Sequence, residues 1–116
     1  MMENQELFWQ ALERLVAESE IVIDRPKQTA HPKYSDMIYP LDYGYLKNTT
    51  AMDGGGIDVY VGSDEERTVK AVLCIVDLLK RDSEIKILIG CTKEEIAEAN
   101  QFQNHSNNMK ALLIYR

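Results

Sequence analysis

The 116-residue chain has little of several things. It has two cysteines, two histidines, three prolines and one tryptophan. Two cysteines without a nearby histidine pair cannot form a structural zinc site by themselves. Cys74 and Cys91 both lie in or beside apolar, strand-like runs and read as buried, reduced thiols. No apolar run approaches the roughly 18 residues a membrane-spanning helix needs. The start of the chain has no basic region followed by an apolar stretch, and Glu3, Glu6 and Glu13 fall where a secretion signal avoids acids. A cytoplasmic protein with no membrane partner is therefore expected. Positive charge is also scarce: 13 Lys and Arg against 19 Asp and Glu leave a net charge of −6. That excludes nonspecific nucleic-acid binding, which rests on cations against phosphates. It does not exclude a phosphorylated small molecule if metal ions stand between the acids and the phosphate.

What is present suits one globular domain over residues 1–116: 45% hydrophobic and 28% charged residues, with no repeat or low-complexity tract. Phe8, Trp9, Leu12, Leu15 and Val16 recur at helical spacing, so Gln5 to Glu18 is an amphipathic helix whose apolar face could pack on the domain or on a second subunit. Ile21 to Asp24 is a short strand ending in an acid. Ile57 to Val61 alternates, placing Ile57, Val59 and Val61 on one face and Asp58 with Tyr60 on the other. Thr68–Val76 and Glu84–Ile89 read as a hairpin. Thr92 and Glu95 form a capping box that opens a second helix, and Ala111–Tyr115 is a last strand. The fold class is α+β, with a small barrel-like sheet between N- and C-terminal helices.

Four segments carry candidate chemistry. Asp53 and Asp58 bracket three glycines, so a mobile loop could bring one carboxylate toward a second, fixed one; oxygen ligands are what hard cations such as Mg²⁺ require. Asp77 and Asp82 repeat that separation at the end of an apolar run. Four carboxylates brought together would repel unless cations lay between them. Lys33, in a proline-containing segment, could reach a phosphate as a point charge. In Tyr39-Pro-Leu-Asp-Tyr-Gly-Tyr45, a buried Tyr43 hydroxyl would need a partner and could hydrogen-bond a phosphate oxygen.

In order and spacing these segments resemble the soluble inorganic pyrophosphatases, which carry Tyr-Pro-x-Asn-Tyr-Gly-Tyr followed by Asp-Gly-Asp-Pro-x-Asp. Asp24, Pro26 and Lys33-Tyr34 match upstream and Asp77 with Asp82 downstream, so the resemblance covers roughly Ile21 to Ile89. It implies a five-stranded, OB-like β-barrel with flanking helices, a homo-oligomer, and Mg²⁺ as cofactor. Asp53, Asp58 and Asp77 would be direct metal ligands, Asp82 would hold a further metal, and Asp24 would act through water. Lys33 and Tyr43 would bind oxygens of pyrophosphate.

The chain also departs from that pattern. Gly55 stands where the family has the middle aspartate that helps activate water, and Gly56 replaces its proline. Asp42, where the family has asparagine, could partly replace the missing base or carry a metal. The hairpin bearing a substrate-binding arginine has no counterpart, and Arg25 is not in the matching position. Glu84 occupies the place of a lysine; Lys86, two residues on and on the same strand face, could serve instead. The Tyr-Lys pair of the family's last helix has only Lys110 as a weak counterpart. A non-catalytic metal- or phosphate-binding derivative, or a hydrolase of another phosphorylated small molecule, is the alternative.

Overall fold

A computed structural model describes residues 3–116. Helix α1 (Asn4–Ala17) is followed by strands β1 (Ile21–Arg25), β2 (Asp42–Leu46), β3 (Ile57–Val61), β4 (Val69–Asp77) and β5 (Asp82–Ile89). Helix α2 (Lys93–Gln103) and strand β6 (Met109–Tyr115) complete the chain. The strands form one six-stranded sheet in the order β1-β2-β3-β5-β4-β6. Every neighbouring pair is antiparallel except β3 with β5. The α+β class holds, but the expected closed five-stranded barrel does not. The sheet is open, with β1 and β6 as its edges. The last strand expected at Ala111–Tyr115 is present as β6; its pairing along the outside of β4 could not be read from the sequence.

Two apolar clusters cover the two faces. Trp9 and Val16 of α1 pack with Leu46, Val59, Val61, Val72, Ile87 and Ile89 on one side. Ile96 and Ala99 of α2 pack with Leu41, Tyr43, Tyr60, Leu73, Ile75 and Leu88 on the other. Strict alternation in β3 therefore decides what the α2 face carries: Asp58 and Tyr60 turn toward it while Val59 and Val61 turn toward α1. The β4 run is apolar on both faces because both are covered: Val69 and Val72 join the α1 cluster, and Ala71, Leu73 and Ile75 join the α2 cluster. Helix α2 starts where the capping box places it: Thr92 accepts from the Glu95 N–H, and Glu95 accepts from the Thr92 N–H at 2.8 Å.

Gly44 sets the spacing between β1 and β2. A Cβ there would lie 1.8 Å from the Val22 carbonyl oxygen and 2.9 Å from Ile23 Cα. Those neighbours are backbone and cannot swing away, so only glycine lets the edge strand close onto Tyr43 and Tyr45. Past Ile23 the pairing slips by one residue, and Asp24 is the extra residue of this bulge. The slip brings Arg25, rather than Asp24, opposite Tyr43.

Candidate active site

Cross-strand partners share a sheet face, so the register gives the composition of the α2 face directly. Arg25 lies opposite Tyr43, Tyr43 opposite Tyr60, and Tyr45 opposite Asp58. Lys86 is opposite Leu73, Glu84 opposite Ile75, and Asp82 opposite Asp77. The parallel pairing of Val59 with Ile87 sets Asp58 alongside Lys86. One face thus gathers Arg25, Tyr43, Asp58, Asp77, Asp82, Glu84 and Lys86 from five strands.

At its centre, the Tyr43 hydroxyl donates to Asp58 Oδ2 at 2.7 Å and accepts from Lys86 Nζ at 2.7 Å. The same ammonium lies 3.8 Å from Asp58 Oδ2 and 3.6 Å from Glu84 Oε1. It also stands 4.9 Å from the centre of the Tyr43 ring. Burial lowers the Lys86 pKa, although Asp58 and Glu84 pull it back up. Burial likewise raises the Glu84 carboxyl, against the pull of Lys86 and with help from Asp58, Asp53 and Asp82. In both groups desolvation outweighs pairing, as expected of ions held away from water. The Tyr43 hydroxyl is held well above its ordinary range by burial and by the Asp58 charge, so it stays protonated and can donate.

A cationic lobe adjoins this centre. The Arg25 guanidinium lies over the rings of Tyr39 and Tyr43, at 5.4 and 5.6 Å from their centres, and donates to the Tyr39 hydroxyl. The His31 ring stacks on Tyr39 at 6.2 Å. Burial lowers the His31 pKa, and the charges of Arg25, Lys86, Lys33 and Lys80 lower it further. Charges of opposite sign therefore meet at Tyr43: its hydroxyl donates to Asp58 and accepts from Lys86, and Arg25 lies over its ring.

The remaining sequence candidates are distributed as follows. Asp53 sits exposed in the glycine loop, its Oδ1 accepting from the Gly55 N–H at 2.9 Å. Asp77 is buried at the mouth of the β4–β5 turn, where its Oδ1 accepts from the N–H groups of Leu79 and Lys80 at 3.0 and 3.1 Å. Lys33 is exposed, with its Nζ 5.6 Å from the centre of the Tyr34 ring. Asp24 is exposed at the bulge of β1. Asp42 departs most from expectation. It pairs with Val61 on the α1 side, and its Oδ1 accepts from the Lys27 N–H at 2.8 Å. It therefore clasps a loop on the face opposite Tyr43, and nothing in this arrangement supports its replacing a missing base. Lys110 donates to the Asn104 carbonyl oxygen at 3.1 Å.

Among the described residues no three His, Cys, Asp or Glu side chains are gathered closely enough to hold a metal ion. Sequence reasoning missed Arg25, Tyr39 and Glu84 as parts of the site. The same-face rule linked Glu84 to Lys86, whereas Arg25 depended on a bulge with no sequence mark. A groove of about 890 Å³ between α1 and Glu66–Thr68 contains none of these residues.

The open α+β sheet thus carries a tyrosine-centred face on which Asp58, Glu84 and Lys86 lie together with Arg25 beside them. The family model for inorganic pyrophosphatase matches residues 16–113, and the chain belongs to that family. A curated inorganic pyrophosphatase of Geobacillus stearothermophilus is 57% identical over 28 residues, 24% of this chain and 17% of that protein. A second, from a Bacillus strain, matches to the same extent. The chain thus spans less than a fifth of the length of the curated relatives it matches. Among solved structures, an inorganic pyrophosphatase from Neisseria gonorrhoeae superposes with a TM-score of 0.65 at 18% identity, covering 82% of this chain and 80% of that one. One from Helicobacter pylori gives 0.55 at 16%, covering 82% and 81%. At these identities the structural likeness is one of fold.

Proposed function

We propose that this chain hydrolyses pyrophosphate to phosphate with the help of Mg²⁺. The observation that carries the reading is the meeting of acid and base at Tyr43, whose hydroxyl donates to Asp58 and accepts from Lys86 while Arg25 lies over its ring. A metal–pyrophosphate complex has the matching polarity, cation toward the acids and anion toward the bases. The acidic side suits Mg²⁺ in the chemistry of its donors, which are all oxygens. It also suits it in charge: the Glu84 carboxyl is pushed up by burial and by Asp58, Asp53 and Asp82, a strain that a divalent cation would relieve. Asp53, Asp58, Asp77 and Asp82 would hold the ions, with Asp24 acting through water. Bound Mg²⁺ neutralises an anionic substrate and lowers the pKa of a coordinated water.

The chain's own residues then divide the work. Tyr43 keeps its proton and holds Asp58 in one orientation. Lys86 balances Asp58 and Glu84 while facing the Tyr43 ring. Lys33 would meet phosphate oxygens, and Tyr43 would do so by turning its proton from Asp58 to the ligand. The protein would work in the cytoplasm as a homo-oligomer, on pyrophosphate or another phosphorylated small molecule, without nucleic acid or membrane.

A phosphate-release assay with pyrophosphate, with and without Mg²⁺, tests this. Mg²⁺-dependent release that Asp58→Asn abolishes is the expected result; no release above background at saturating Mg²⁺ rules it out. A second reading has its own support. Gly55 supplies no carboxylate, and no three acids close into a group among the described residues. These features suit a domain that binds metal and phosphate without turning them over, which calorimetry showing tight binding without phosphate release would favour.

A further inference from the structure

Two cations touch Tyr43, and they are engaged very differently. The Lys86 ammonium donates one hydrogen bond, to the Tyr43 hydroxyl, and is ion-paired with both Asp58 at 3.8 Å and Glu84 at 3.6 Å. It is buried, and an approaching anion would have to compete with two carboxylates for it. Arg25 is only half-buried. Among the described residues its guanidinium is in no ion pair, and its side chain makes one hydrogen bond, to the Tyr39 hydroxyl. A guanidinium has five N–H donors, so most of the fork is uncommitted. Two tyrosine rings hold it in place, Tyr39 at 5.4 Å and Tyr43 at 5.6 Å, which limits the entropy lost when it grips a ligand.

The bulge at Asp24 explains how a residue outside the expected position reaches the site. Without the slip, Asp24 would face Tyr43 and Arg25 would point to the α1 side. The slip reverses the sign of the charge presented at the edge of the site.

We propose that Arg25, cradled by Tyr39 and Tyr43, is the residue that grips the phosphoanion end of the substrate, and that Lys86 is an internal counter-ion for Asp58 and Glu84. The ligand class is a phosphate or diphosphate with two oxygens free to meet the fork side by side. This rests on the functional reading above and names the anion-binding residue within it.

The test uses the whole chain, with imidodiphosphate, a pyrophosphate analogue whose bridging N–H resists hydrolysis, as the calorimetric probe. Steady-state kinetics with pyrophosphate run in parallel. Arg25→Gln should weaken imidodiphosphate binding roughly 10- to 100-fold, the loss of charge-assisted hydrogen bonds, and raise KM by more than it lowers kcat. Arg25→Lys keeps the charge but not the fork and should fall between wild type and Arg25→Gln. Equal binding and KM in wild type and Arg25→Gln overturns the proposal alone. Wild type that neither binds the analogue nor releases phosphate overturns the functional reading and this proposal with it. If Arg25→Gln fails to fold by circular dichroism, Arg25→Lys decides, and an unchanged Kd in that variant overturns the fork.

Discussion

Removing the Lys86 ammonium should destabilise the protein strongly, and more so at neutral than at acid pH. Lys86 lies 3.8 Å from Asp58 Oδ2 and 3.6 Å from Glu84 Oε1. At an effective dielectric of about 20, each attraction is roughly 4–5 kcal/mol, before desolvation of the ions cancels most of it. The directions of the Lys86 and Glu84 shifts, both set first by burial, indicate that cancellation. Lys86→Met takes away the attraction but leaves two carboxylates facing each other on a largely covered surface. Breaking a buried pair in this way typically costs about 3–5 kcal/mol, and the partial exposure of Asp58 puts the expected loss near the lower end, about 3 kcal/mol. The pH dependence follows from Glu84. Its folded pKa already lies above the ordinary 4.5, and losing Lys86 removes what holds it down. A carboxyl with a raised folded pKa binds more protons in the native state than in the unfolded one. Its contribution is therefore present at acid pH and is lost as pH rises through the folded value. Urea unfolding of wild type, Lys86→Met, Glu84→Gln and the double variant, at pH 4.5 and 7, measures both effects. The double variant should recover part of the loss at pH 7. A Lys86→Met cost below about 1 kcal/mol, or one equal at the two pH values, would refute the reasoning.

Two glycines give contrasting expectations. Gly44→Ala must push β1 away from β2, since its Cβ would meet the Val22 carbonyl oxygen at 1.8 Å. It should cost about 3 kcal/mol or more and lower Tm by roughly 10 °C, and a melting curve within about 2 °C of wild type would contradict the packing. Gly55 has no such constraint: a Cβ there meets nothing nearer than Asp53 Oδ1 at 3.4 Å, and its backbone is not left-handed. Gly55→Asp should therefore leave Tm nearly unchanged while raising kcat for pyrophosphate, up to the roughly 10²–10⁴ a positioned base can supply. No gain in phosphate release from a folded Gly55→Asp protein would mean that the loop does not approach the attacked phosphate.

The parts of this fold that could be read from the sequence are those set by local periodicity. The alternation of β3 put Asp58 and Tyr60 together, the capping box located α2, and the two-residue step from Glu84 to Lys86 put both on one face. The same rule separated Asp42 from Tyr43, because neighbours along a strand point to opposite faces; chemical suggestion outweighed geometry there. What could not be read depended on pairing between distant segments. Nothing local shows that β3 runs parallel to β5, yet that pairing sets Lys86 beside an aspartate 28 positions earlier. Nor does anything local show that β1 slips at Asp24, yet the slip decides whether an acid or a base faces Tyr43. Both are long-range choices fixed by burial of the two apolar faces: a one-residue change in register would turn Ile23 or Val59 out of the α1 core. The charged site is thus largely a consequence of the apolar packing beneath it. Its acids and bases have the positions left to them once the sheet has buried its valines and isoleucines, and the irregularity at Asp24 is where the local alternation rule gives the wrong sign of charge.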